Sequence, residues 1–172
     1  LAGDFAGRLE RELGPAEGRV QIADGSVRVV GAVQAFRDFG VLRLGLVDPA
    51  EGSISNLFLV VEGREGVELV TPPLADGCLA GTTRNLVLEL LEAEPLEVGG
   101  RAIPCRVSKL TPDDLTGARE VFLTNTSQRV VPVRRVLGAD GAPLGGERDA
   151  PGPVSRSVRD RILAAERRYR GV

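Results

Sequence analysis

A mixed α/β (α+β) fold is expected from three observations. Short apolar runs bounded by glycine, proline or Asp-Gly read as strands. Between them lie stretches whose apolar residues recur at helical spacing. Hydrophobic residues make up 42% and charged residues 27% of the 172 residues, enough for one domain with a sizeable core.

The elements follow in chain order. "LAGDFAGRLERELG" sets Leu1, Phe5, Leu9 and Leu13 four apart, which predicts an amphipathic helix over 1–14 closed by Gly14. "RVQIADGSVRVVG" alternates around Asp24-Gly25 and predicts a hairpin, and "AVQAFRDFG" predicts a second helix ending at Gly40. "VLRLGLVD", "NLFLVVEG" and "GVELVTPP" read as strands, the last two as a hairpin stopped by Pro72 and Pro73. In the first arm of that hairpin Leu57, Leu59 and Val61 share one face and Phe58 and Val60 the other, which predicts cover on both sides. After Gly81 a helix should bury Thr83, Val87, Leu90 and Leu91 and turn Asn85, Glu89 and Glu92 outward.

"AIPCRVSKL" is a strand candidate. "TPDDLTGA" is a short helix capped by Thr111, with Pro112 at its first position and acids in its first turn. "EVFLTNTS" and "RVVPVRRVLG" are two further strands. A Gly/Pro-rich connection then leads to a last helix, "VSRSVRDRILAAERRYR", with Val154, Val158, Ile162, Ala165 and Tyr169 on one stripe.

Composition excludes several function classes. The formal net charge of −2 provides no basic field for nucleic acid or an anionic membrane, and the six arginines of the last helix read as a solvated face. No apolar run approaches the ~20 residues that span a bilayer. No signal-peptide pattern is present, so a cytoplasmic location is the default expectation. The chain has no histidine, which removes the commonest acid–base group and metal ligand. Cys78 and Cys105 form no C-x-x-C pair and read as two buried thiols, and no metal site is expected. Lys109 is the one lysine. The chain begins at Leu1 and holds no methionine, so it is expected to be a fragment or a trimmed product.

Three segments could carry chemistry. "GCLAGTTRN" places Gly81, Thr82 and Thr83 at a helix start, where free amides, the helix dipole and a hydroxyl favour an anion such as a phosphate. The same pattern equally describes a helix that caps itself. "LTNTSQRVVPV" ends a strand in hydroxyls and free amides. "DPAEGSISNLFLV" sets Glu51 before a glycine at the entrance to a strand.

Taken together and in this order, "EGSISNLFLV", "TPPLADGCLAGTTRN" and "EVFLTNTSQRVVPVRRVLG" resemble the class IV pyridoxal-phosphate-dependent aminotransferase family. That group includes branched-chain and D-amino-acid aminotransferases and aminodeoxychorismate lyase. The closing "GPVSRSVRDRI" is similar to the family's C-terminal helix, so the resemblance runs from Gly40 to the end. It implies a C-terminal cofactor-binding domain over 40–172, a mixed sheet or pseudo-barrel with flanking helices, preceded by an N-terminal segment, 1–39, without clear likeness. It implies pyridoxal 5′-phosphate as cofactor, an amino-acid or amino-chorismate substrate, and a homodimer in the parent protein.

Residue by residue, the resemblance pairs Glu51 with the protonated pyridine nitrogen. It gives the phosphate to the turn at Thr82 and Thr83 and to Thr126, and it makes Ser127 a backbone donor to phosphate or substrate carboxylate. One departure stands out. The family's Schiff-base lysine is expected at about Pro15 to Gly25, where the sequence reads "PAEGRVQIADG", so no catalytic residue is assigned. Arg19 is no substitute, because a guanidinium stays protonated. Lys109, downstream of the phosphate turn, reads as a surface lysine. The chain alone is therefore expected to be inactive, or to be a non-catalytic binding or subunit-partner module on the same scaffold.

Overall fold

The computed structural model describes residues 19–23, 26–30, 40–44, 55–76, 80–137 and 143–171. The helices expected over 1–14 and before Gly40, together with Glu51 and Cys78, lie outside the described residues. Ten strands are described: β1 (Arg19–Ala23), β2 (Ser26–Val30), β3 (Gly40–Leu44), β4 (Asn56–Gly63), β5 (Gly66–Thr71), β6 (Leu96–Val98), β7 (Arg101–Ile103), β8 (Cys105–Val107), β9 (Glu120–Asn125) and β10 (Arg129–Leu137). The helices are α1 (Thr82–Ala93), α2 (Pro112–Gly117) and α3 (Pro153–Arg170).

Eight strands form one mixed sheet in the order β2-β1-β3-β10-β9-β4-β5-β8, and β6 pairs with β7 in a separate hairpin. The expected β1–β2 hairpin is present, its register closing at Ala23 opposite Ser26. β1 runs parallel to β3, so this hairpin extends the same sheet. β4, β5, β9 and β10 form an antiparallel centre. Pro132 is tolerated inside β10 because pairing with β3 begins only at Val133, beyond the residue that lacks a donor.

The centre of the sheet is covered on both sides, as the apolar alternation of β4 requires. Leu57, Leu59 and Val61 join Val121, Leu123, Val131 and Val133 beneath Leu110 and Leu115 at α2. Phe58 and Val60 join Phe122 and Val130 on the other face, beneath Val87 and Leu91 of α1 and Val154, Val158 and Ile162 of α3. Phe58 and Phe122 are direct cross-strand partners with parallel rings, 5.3 Å between centroids and 3° between planes. α1 buries Thr83, Val87 and Leu91 and exposes Asn85, Glu89 and Glu92, as its periodicity predicts, while Leu90 is only half-buried against the same core. Thr111 caps α2 in a full capping box with Asp114: the Asp114 amide donates to the Thr111 hydroxyl and the Thr111 amide to the Asp114 carboxylate.

Two expectations change. "AIPCRVSKL" is not one strand: Pro104 divides it, so β7 turns back onto β6 through Gly99-Gly100 (φ 60° and 73°) while β8 joins β5. The stripe of α3 stops short: Ile162 is buried, but Tyr169 is 95% exposed.

α3 starts without a side chain of its own to cap it. Instead Glu120, buried at the head of β9, accepts from the amides of Val154 (2.8 Å) and Ser155 (2.9 Å), a carboxylate at the positive end of a helix. Arg161, midway along α3, donates to the carbonyls of Glu94 and Pro95 just past the end of α1. Arg148 docks the connection before α3 by donating to the carbonyls of Ala118 (2.9 Å) and Leu115 (2.8 Å).

Two outcomes are expected in solution. Phe122→Ala removes a fully buried ring and its stacking partner's contact, and should lower the unfolding free energy in urea by about 3–5 kcal/mol. A loss below about 1 kcal/mol would show that this stack is not core. At the edge, Arg106 forks onto Glu68 (2.7 and 3.0 Å) and holds its carboxyl below the usual carboxylate range. A lowered folded pKa stabilises above the unfolded value and is lost as pH falls below about 4. Glu68→Gln should therefore cost at most about 1 kcal/mol at pH 7, since Arg106 is half exposed, and the gap from wild type should shrink toward pH 3 in thermal melts.

Candidate functional site

Three segments meet at one end of the sheet. β4 begins at Asn56, which sits opposite Thr124 of β9. α1 begins after Gly81, whose backbone lies so near Asn56 that a Cβ at 81 would strike the Asn56 amide oxygen. The Gly81 φ of −68° is ordinary, so a side chain there is opposed by close approach, which would force the buried Asn56 amide to shift, rather than by backbone conformation. α1 also packs on β9, and β9 leads directly into the turn carrying Thr126 and Ser127.

The start of α1 has the features of an anion cup. Its first internal bond runs from the Asn85 amide to the Gly81 carbonyl (3.0 Å), so the amides of Thr82, Thr83 and Arg84 lie ahead of the ladder. The N-cap, Gly81, has no side chain to cap them and the first turn carries no acid. Thr83 is buried and Thr82 exposed. Arg84, also buried, donates to the Pro72 carbonyl at 2.9 Å and ties the exit of β5 to α1. Thr71 does the same for β4 through the Leu57 carbonyl at 2.8 Å.

Among the described residues, the buried Thr124 hydroxyl has no hydrogen-bond partner, a loss of about 1–3 kcal/mol unless a ligand or water completes it. By strand alternation Thr124 lies on the Phe122 face, the side covered by α1.

The facing turn is built from Asn125 to Gln128. The Asn125 side-chain oxygen accepts from the Gln128 amide three residues on (2.7 Å) and closes the turn. Arg129 follows with φ 67°, left-handed and unfavourable for a residue with a Cβ by roughly 1–2 kcal/mol. Its guanidinium returns under the turn to the carbonyls of Thr126 (3.0 Å) and Ser127 (2.9 Å) and forks onto Glu166 of α3 (2.8 and 3.2 Å). Hydrogen bonding to Arg129 holds the Glu166 carboxyl below the usual carboxylate range.

Of the residues singled out in the sequence, Thr82 and Thr83 at α1 and Thr126 and Ser127 in the turn all fall at this end of the sheet; Glu51, five positions before Asn56, lies outside the described residues. Lys109 is exposed on the link from β8 to α2, as expected of a surface lysine. Asn56, Arg84, Thr124 and Arg129 were not singled out. Asn56 and Arg84 sit inside quoted motifs, and Thr124 lies in β9 two residues before Thr126. Nothing in the sequence marks Arg129, whose backbone conformation favours glycine or asparagine.

A mixed sheet with a helix start, a strand entrance and a hydroxyl-bearing turn converging on one end defines an α/β domain with polar donors gathered at that end. Residues 47–136 match the family model for amino-transferase class IV, and the chain belongs to that family. A probable branched-chain-amino-acid aminotransferase of Thermotoga maritima is 37% identical over 139 residues, 78% of this chain and 45% of the relative. D-alanine aminotransferase of Bacillus licheniformis is 35% identical over 118 residues, 69% of this chain and 35% of the relative. The solved branched-chain amino acid aminotransferase of Escherichia coli shares 32% identity over 63% of this chain and 32% of its own, with a TM-score of 0.48. The chain thus spans less than half the length of these relatives.

Cys105 lies beside the site elements on β8 as a half-buried free thiol. Burial pushes its pKa up to about 11, and the nearby Arg84 charge offsets this only in part. At pH 8 on the order of one thiol in a thousand is ionised. In a Cys78→Ser background, iodoacetamide should label Cys105 slowly at pH 8 and faster by about tenfold per pH unit up to pH 10. Rapid labelling at pH 7 would refute the burial argument.

Proposed function

We propose that this chain carries the phosphate-holding part of a pyridoxal 5′-phosphate site in a class IV aminotransferase or the related aminodeoxychorismate lyase, acting on an amino acid or an amino-chorismate. The observation that supports this most is the meeting of Gly81, Asn56 and Thr124. It sets a helix start whose N-cap is a glycine against a strand end whose buried hydroxyl has no partner among the described residues. The donor set suits a dianion: the amides of Thr82 and Thr83, the Thr83 hydroxyl, and from the facing turn the Thr126 hydroxyl and Ser127 amide. Bound there, the cofactor would supply an electron-accepting pyridine ring.

The chain's own residues bind and orient. Thr83 and Thr126 hold phosphate oxygens from two elements, which fixes the direction of the ring. Glu51, by its match to the family motif, keeps a negative charge at the ring nitrogen. Residues 40–172 form the cofactor domain, with the β1–β2 hairpin from the preceding segment along its sheet. The parent protein is a cytoplasmic homodimer in this reading. The single lysine, Lys109, is exposed and lies on another link, so the chain alone holds the cofactor without turning over an amino acid.

Titration with pyridoxal 5′-phosphate, followed by quenching of cofactor fluorescence, tests the reading. Binding should saturate, and Thr83→Ala should weaken it by about 10- to 100-fold, the loss of a hydrogen bond to an anion. Absence of binding by the native chain would favour a non-catalytic scaffold instead. Borohydride reduction that attaches the cofactor to Lys109 would overturn the expected inactivity.

A further inference from the structure

We propose that Arg129 and Glu166 are a positioning pair that aims the Ser127 amide into the site. The proposal deepens the phosphate-site reading and rests on it for the identity of the ligand. Arg129 spends nearly all its donors on this task. Both hydrogens of Nη1 go to the Thr126 and Ser127 carbonyls (3.0 and 2.9 Å), and Nε and Nη2 go to the two oxygens of Glu166 (2.8 and 3.2 Å).

A trans peptide carries its C=O and N–H in opposite directions. Drawing the Thr126 carbonyl toward the guanidinium therefore drives the Ser127 N–H away from it. Drawing the Ser127 carbonyl the same way turns the Gln128 N–H outward too, but the Asn125 side-chain oxygen already takes that proton at 2.7 Å. The Ser127 amide is the one donor of this pair left for a ligand, and among the described residues nothing accepts from it. The positive guanidinium on the carbonyl also polarises the peptide and strengthens that donor.

The left-handed backbone of Arg129, φ 67°, brings the side chain back beneath its own turn. An unfavourable conformation at such a place is sustained only where surrounding contacts hold it, and the Glu166 fork does so. Glu166 belongs to α3, whose start is bound to Glu120 of β9 and whose middle is bound to the end of α1. The turn is thereby referenced to the same rigid frame as the phosphate-facing helix. A lysine at 129 has no fork and would satisfy one side only.

The test uses the native chain labelled with nitrogen-15, with Glu166→Gln, Arg129→Gln, Arg129→Lys and the double variant Arg129→Gln/Glu166→Gln. Two quantities are read: the Ser127 amide proton shift without ligand, and the affinity for pyridoxal 5′-phosphate. Glu166→Gln, remote from the turn in sequence, should move the Ser127 amide and weaken binding severalfold. Arg129→Gln should weaken it by about tenfold, Arg129→Lys should not restore it, and the double variant should be no worse than Arg129→Gln. Should Arg129→Gln fail to fold, Glu166→Gln alone decides. An unmoved Ser127 amide and unchanged affinity in a folded Glu166→Gln would overturn the pairing. If the native chain binds no pyridoxal 5′-phosphate the phosphate-site reading fails, while the amide shift still decides whether Arg129 and Glu166 set the turn.

Discussion

The pairing of β4 with β9 is the constraint on which the remainder of the molecule depends. It places Phe58 against Phe122 and, one pleat further, Asn56 against Thr124. Because side chains alternate, a slip of one residue would exchange the two cores and carry Asn56 to the wrong side of the sheet. With both faces buried, such a slip is strongly disfavoured. The hydrophobic register that stabilises the fold therefore also fixes, to within a residue, where the helix start and the turn find each other.

Polar groups inside this frame are satisfied chiefly by backbone. Arg84 and Arg148 donate to carbonyls, and Glu120 accepts from amides, with no opposite side-chain charge among their hydrogen bonds to the described residues. Each thus joins two segments distant in sequence: β5 to α1, the α2 region to the connection, β9 to α3. A neutral replacement at any of them would leave main-chain groups unpaired as well as removing a side chain.

Much of this was legible in the sequence, for reasons visible in particular residues. The alternation Leu57–Val61 announced a strand buried on both faces, and Thr111-Pro112 with Asp114 announced the capped α2, because those signals act over a few neighbouring residues. The order of the Glu51, Thr82–Thr83 and Thr126–Ser127 motifs announced the family, which the match over residues 47–136 bears out. What was not legible depends on contacts across the sheet. Gly81 is favoured by the nearness of Asn56, not by its own φ. The α3 cap comes from Glu120. Arg129 adopts a conformation its residue type disfavours because Glu166 and two carbonyls hold it. Pro104 was visible, yet its choice to end β7 and start β8 follows from where β5 and β6 lie. Tyr169 kept the helical period but lies in the exposed last turn, and periodicity does not measure the extent of a neighbour.

The Glu120 carboxylate at the start of α3 has a consequence for how the chain assembles. The last helix lacks an N-terminal cap in its own segment and acquires one only when β9, which precedes it by more than 30 residues, is in place. As an isolated peptide it would fray from that end. Its formation is therefore coupled to closure of the sheet, so that the helix and the central strands gain and lose order as one cooperative unit.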